Sequence, residues 1–235
     1  MDWLGEIMHR VRPEAGAVAL TPTQVVVVLV MALVVVLTPG VWRVVRLGVT
    51  LVHELGHAVV GLAAGRQFTG FVLRGDMSGH AVTRGPARGI GRIVSAWAGY
   101  PAPAVLGAAM VWAAGRGWSA PVLTALLAVL LLALVRVRSV MTVLVVLATL
   151  TGLGAVWWWR ADAVQAQVLL GLGAVLVVGS WRHLVAVFDD RSTGSDPGVL
   201  AALTPVPRVL WNASFVLVAA AASGLVAVEL VGALA

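Results

Sequence analysis

Long apolar runs, cut at intervals by arginine, proline and glycine, make up most of the chain. Residues 24–37 form a valine-rich stretch that opens after Thr21-Pro22 and closes at Pro39-Gly40. Proline in a first helical turn gives up only a donor that is unpaired there anyway, and a proline past the last turn stops the helix. Further apolar runs cover about 42–65, 93–114, 119–135, 140–159, 163–188 and 208–231. A helix needs about 20 apolar residues to cross a hydrocarbon layer of about 30 Å. The pattern predicts an all-α polytopic membrane protein with about seven transmembrane helices, residues 1–235 forming a single membrane domain.

Three stretches break the pattern. In 66–92 the period falls to two, through Phe68-Thr69-Gly70-Phe71-Val72-Leu73 and His80-Ala81-Val82-Thr83 around the turn Gly75-Asp76-Met77-Ser78-Gly79. This predicts a β-hairpin lying at the membrane surface after the second span. It is either a plain connector or an edge strand against which an extended peptide can pair. The third span is interrupted by Gly99-Tyr100-Pro101-Ala102-Pro103, where prolines remove backbone donors. Irregular backbone at membrane depth is tolerated where it lines a wet cavity, although a packing kink has the same signature. Finally, 189–207 passes from Asp189-Asp190-Arg191 into Ser195-Asp196-Pro197-Gly198, whose serine and proline are placed to start a helix.

Composition supports the membrane reading: 60% of residues are hydrophobic, 11% are charged and the mean hydropathy is +1.00. In a soluble chain a net charge of +6 would point towards nucleic acid. Here all sixteen cations are arginines near the ends of the runs, so the expected partner is the lipid bilayer and not nucleic acid. Residues 1–21 mix Asp2, Glu6, Arg10, Arg12 and Glu14 with apolar residues, unlike a cleaved signal, and read as a cytoplasmic surface segment. With the N-terminus in the cytoplasm, seven spans place twelve of the sixteen arginines inside and leave Arg43, Arg46, Arg116 and Arg160 outside. The expected location is the cell membrane, crossed several times, with the hairpin and the 189–207 loop facing the cytoplasm. Trp157-Trp158-Trp159-Arg160 reads as an interfacial anchor.

The chemistry concentrates in His53-Glu54-Leu55-Gly56-His57, inside the second apolar run. On a helix the two histidines share a face one turn apart, so two imidazole nitrogens can converge on one metal ion. Glu54, beside them, can take a proton from a water that zinc acidifies and hand it to a leaving amine. Ionisable groups inside a membrane helix are costly and default to a functional role. There is no cysteine, so a metal must be held by histidine and carboxylate. A catalytic zinc takes three protein ligands and keeps one position open. The residues alone leave the third ligand among Asp196, Asp190, His80 and His183, with Asp189 and Asp190 more simply a solvated helix end against Arg191.

These features together resemble the site-2 protease class of intramembrane zinc metallopeptidases, most closely its compact bacterial branch. The resemblance rests on His53-Glu54-Leu55-Gly56-His57-Ala58, the glycine-rich hairpin, the Ala98-Gly99-Tyr100 break, and Gly194-Ser195-Asp196 followed by Leu200 and Leu203-Thr204. In that class a later aspartate in an Asn-Pro-Asp-Gly or Leu-Asp-Gly setting completes the site. Neither string occurs here, and Ser195-Asp196-Pro197-Gly198 is the nearest equivalent. The resemblance implies a zinc-dependent endopeptidase that cleaves a membrane-embedded protein substrate, with Zn2+ on His53, His57 and Asp196 and Glu54 as the catalytic residue. The other reading is an inactive metallopeptidase-like protein that binds or regulates a membrane partner; the intact Glu54 favours the enzyme.

Overall fold

The computed structural model describes residues 3–16, 20–76 and 78–234. Helices α1 (Trp3–Val11), α2 (Pro22–Leu37) and α3 (Pro39–Ala63) precede an antiparallel hairpin of β1 (Gln67–Leu73) and β2 (Gly79–Arg84). Then come α4 (Ile90–Trp97), α5 (Pro101–Ala114), α6 (Ser119–Leu134), α7 (Val140–Trp158), α8 (Asp162–Asp189), α9 (Asp196–Leu203) and α10 (Arg208–Leu234). Helices α3, α7, α8 and α10 are long and apolar enough to cross a membrane, and α4 with α5, bent by 62° at the 98–100 break, make a fifth candidate. Helices α2 and α6 are apolar but shorter, at 16 residues each. The chain is a multi-pass membrane protein.

The centre of the bundle is the contact of α5 with α8, and small residues make it possible. A Cβ on Gly107 would lie 2.6 Å from the Gly173 carbonyl, and one on Gly173 would lie 2.6 Å from the Gly107 carbonyl, so the two backbones touch. Apolar burial distinguishes little between helix and lipid inside a bilayer, so close backbone approach and dispersion carry the packing. Helix α10 runs beside α5 in the same direction, with Tyr100 stacked on Phe215 at 5.0 Å and Arg116 paired with Glu229 at 2.8 Å further along.

Two contacts revise the seven alternating spans. Val28 packs on Gly171, and Arg182 Nη1 donates to the Val36 carbonyl at 2.7 Å, so α2 and α8 run in the same sense. First and sixth spans of a strictly alternating bundle would run oppositely. The cause is local: only Thr38 separates α2 from α3, and Pro39 restarts the helix at once. Reversing the chain between packed helices takes about 2–8 residues, so Pro39-Gly40 bends the path and does not turn it back.

The N-terminal segment is also placed differently. Glu14 N–H donates to the Gly117 carbonyl at 2.9 Å, Arg10 Nε to the Trp158 carbonyl at 3.0 Å, and Arg160 Nη1 to the Arg12 carbonyl at 3.1 Å. Residues 10–14 therefore sit at the end of the bundle that holds Arg116 and Arg160, two of the four arginines that the charge count assigns outside, whereas Arg43 and Arg46, the other two, border one cavity with Arg182 at the opposite end. Glu229, close to the end of α10, lies at that face too through its pair with Arg116. The two ends of the described chain share a face, which requires an even number of crossings. A cytoplasmic N-terminus and a cytoplasmic hairpin base cannot both hold.

Candidate metal centre

The local sequence explains how α3 presents its polar face. Gly56 has Ala98 and Ala102 against it, and a Cβ there would meet the Ala102 Cβ at 2.5 Å and the Ala98 carbonyl at 2.8 Å. This absence of a side chain lets α3 press onto the broken α4–α5 element. Gly99, at the break, lies directly over the histidines: an added Cβ would collide with the His57 ring and lie 2.7 Å from His53 Nε2.

His57 is clamped from both sides. Its Nδ1 is 2.7 Å from the Ser95 carbonyl, while the Ser95 hydroxyl donates to the His57 carbonyl at 3.0 Å. A carbonyl can only accept, so Nδ1 carries the proton and a neutral ring presents a bare Nε2. That Nε2 is 3.1 Å from His53 Nε2, and Asp196 Oδ2 is 3.2 Å from each of the two nitrogens.

Among the described residues His53, His57 and Asp196 form the only group of three or more histidine and acidic side chains arranged to hold a metal. A tetrahedral zinc with bonds of about 2.0–2.1 Å holds its ligands about 3.3–3.4 Å apart. The triangle observed is within a few tenths of an ångström of that spacing. Bare lone pairs meeting at this distance repel unless a cation or proton lies between them, so the donor set fits the metal.

Asp196 reaches the histidines because the chain between α8 and α10 is tied down. Arg208, opening α10, donates to the Asp190 carbonyl at 2.6 Å and also to the Ser192 carbonyl. Gly198 lets the loop close, since a Cβ there would lie 2.5 Å from the Ser192 carbonyl. Leu200, fully buried, anchors α9 in the same cluster as Phe215 and Ala104. Asp190, the other acidic candidate, also borders the cavity but does not join the three: it accepts the Ser192 N–H at 2.7 Å, and this bond holds its carboxyl below the usual carboxylate range. His80 and His183 border the same cavity, but neither joins the group of three, and the His183 ring is 6.3 Å from that of His53.

Glu54 is buried beside the histidines, and all four side chains open into a cavity of about 450 Å³. The hairpin forms one wall. It does not lie flat at the surface as the alternating pattern suggests but folds back along α3, because Phe71 and Leu73 on β1 are fully buried. Leu73 N–H donates to Thr142 Oγ1 at 2.7 Å, and Phe71 exchanges backbone bonds with Arg136 and Arg138, which closes the outer edge of β1. Among the described residues β2 has a ladder partner only in β1, and Gly79, His80, Ala81 and Thr83 line the cavity. Sequence reasoning missed Ser95 and Gly79, a lone serine in an apolar helix and a turn glycine that carry no signal of their own. Gly56 and Gly99 could have been singled out as the small residues that close packing over a metal motif demands.

No curated protein and no solved structure matches the chain. A family model described as Peptidase M50B-like matches residues 26–226, a region that contains every residue of the site just described. The chain belongs to the Peptidase M50B-like family.

Proposed function

We propose that the protein is a zinc-dependent intramembrane endopeptidase that hydrolyses a peptide bond of a membrane-embedded protein. The observation that carries this reading is the triangle of His53 Nε2, His57 Nε2 and Asp196 Oδ2, with sides of 3.1–3.2 Å, next to the Glu54 carboxylate. These three residues would hold zinc, which when bound supplies the Lewis acidity that acidifies water and polarises the scissile carbonyl.

The chain's own groups do the rest. Glu54 takes a proton from the attacking water and delivers it to the amine nitrogen as the C–N bond breaks. The Ser95 carbonyl fixes the tautomer of His57 and keeps Nε2 available. An extended substrate pairs along the β2 edge, which brings its backbone past the triangle. The Tyr100 ring stands edge-on to His53 at 4.7 Å and borders the same cavity, where it packs against that ligand.

Metal analysis of the purified full chain tests the reading. It is expected to find about one zinc per chain, lost in His53→Ala and His57→Ala, because two histidines on one turn supply most of the affinity. Zinc retained by the double variant would overturn the assignment.

A further inference from the structure

A second cavity, of about 460 Å³, opens where α2 passes into α3, bounded by Leu37, Trp42, Arg43, Arg46, Asp76 and Arg182. It brings three guanidinium groups to one space. Arg182 donates to the Val36 carbonyl at 2.7 Å and lies over the Trp42 ring at 4.4 Å. Arg46 makes one long bond, 3.4 Å, to the Asp76 carbonyl, and its Nε is buried without a partner. The only acid in the lining is already occupied: the Asp76 carboxylate accepts the Ser78 N–H at 2.9 Å and the Ser78 hydroxyl at 2.6 Å. Among the described residues no carboxylate pairs with any of the three arginines.

Arg46 is half-buried while Arg43 and Arg182 are exposed, and three guanidinium groups around one partly apolar cavity repel one another, which an anion between them would relieve. The planar fork of arginine matches phosphate oxygens, and a buried, unpaired Nε is the donor such an anion would use. The level of the cavity points to lipid. Asp162 starts α8 beside Arg160 and the Trp157-Trp158-Trp159 belt. Arg182 follows twenty residues later, about 30 Å along the helix, which is the thickness of the hydrocarbon layer. The three arginines thus stand at the opposite headgroup boundary. Leu33, Val34, Leu37, Val41 and Val44 next to them are exposed, as acyl-chain contacts would be.

We propose that this cavity binds the phosphate of an anionic lipid headgroup. Arg46 borders both this cavity and the catalytic one, so the bound phosphate steadies α3 two turns before His53.

Native mass spectrometry of the full chain in mixed micelles of detergent with dioleoyl phosphatidylglycerol or dioleoyl phosphatidylcholine tests the site. The wild type is expected to retain one phosphatidylglycerol at least fivefold more than phosphatidylcholine. Arg46→Gln with Arg182→Gln should fall to the phosphatidylcholine level, Arg43→Gln, which removes one of the three charges, should fall part of the way, and Arg116→Gln at the other face should keep the preference. Equal retention of both lipids by the wild type, or an unchanged preference in both the Arg43→Gln and the double variant, would overturn the proposal. Displacement of the lipid by millimolar inorganic phosphate would overturn the lipid assignment in favour of free phosphate.

Discussion

Gly79 lies so close to Glu54 that a methyl group at position 79 would fall 2.5 Å from Glu54 Oε1 and 2.7 Å from its Cγ. The start of β2 is thus the wall against which the carboxylate rests, and its position depends on a residue without a side chain. Gly79→Ala should push the carboxylate aside while leaving the metal ligands in place. We expect turnover at least tenfold lower with zinc content unchanged, a loss of about 1.4 kcal/mol or more in transition-state stabilisation. Gly48→Ala, on the same α3 but with open space around it, should leave turnover unaltered. Comparing turnover and zinc content across the two variants checks the contact; full activity in Gly79→Ala would show that Glu54 does not need this wall.

The two acidic residues flanking the 191–195 turn are expected to behave differently. Asp196→Ala removes one corner of the triangle and should weaken zinc binding by at least tenfold in competition with a chelator. Asp190→Ala removes only a loop bond to Ser192 and should leave zinc affinity as it was. The reverse result would reassign the third ligand.

Membrane sidedness follows from the contacts of residues 10–14. A reporter fused at the N-terminus and one placed in the loop at Gly117 should report the same side, and reporters after Arg88 and after Arg138 should report the other. Opposite signals from the N-terminus and Gly117 would contradict the contacts of Glu14 with Gly117 and of Arg10 with Trp158.

The site was more legible in the sequence than the path of the chain. His53, Glu54 and His57 are fixed by helical spacing alone, so one turn of α3 suffices to read them. Asp196 is distant in sequence, and its place depends on Arg208 holding the 190–192 carbonyls, a contact without a local pattern. Helix existence was equally plain from the apolar runs, and the hairpin from its alternation. Direction was not: Thr38-Pro39 looks like a turn because proline and glycine end helices, yet a single intervening residue leaves no room to reverse. The arginine count does not tell the two paths apart, since moving Arg10 and Arg12 to one face and Arg43 and Arg46 to the other leaves the same split of twelve to four.

The most direct test of the central claim is a quantitative comparison of membrane proteins between cells carrying Glu54→Gln and cells carrying the wild type. The substitution keeps the size of the side chain and removes its capacity to take a proton, so the variant should retain its zinc while the intact form of at least one membrane protein accumulates. If no intact protein rises, while deletion of the chain gives a phenotype that Glu54→Gln rescues, the protein is not a peptidase, and its pocket serves to bind a membrane partner.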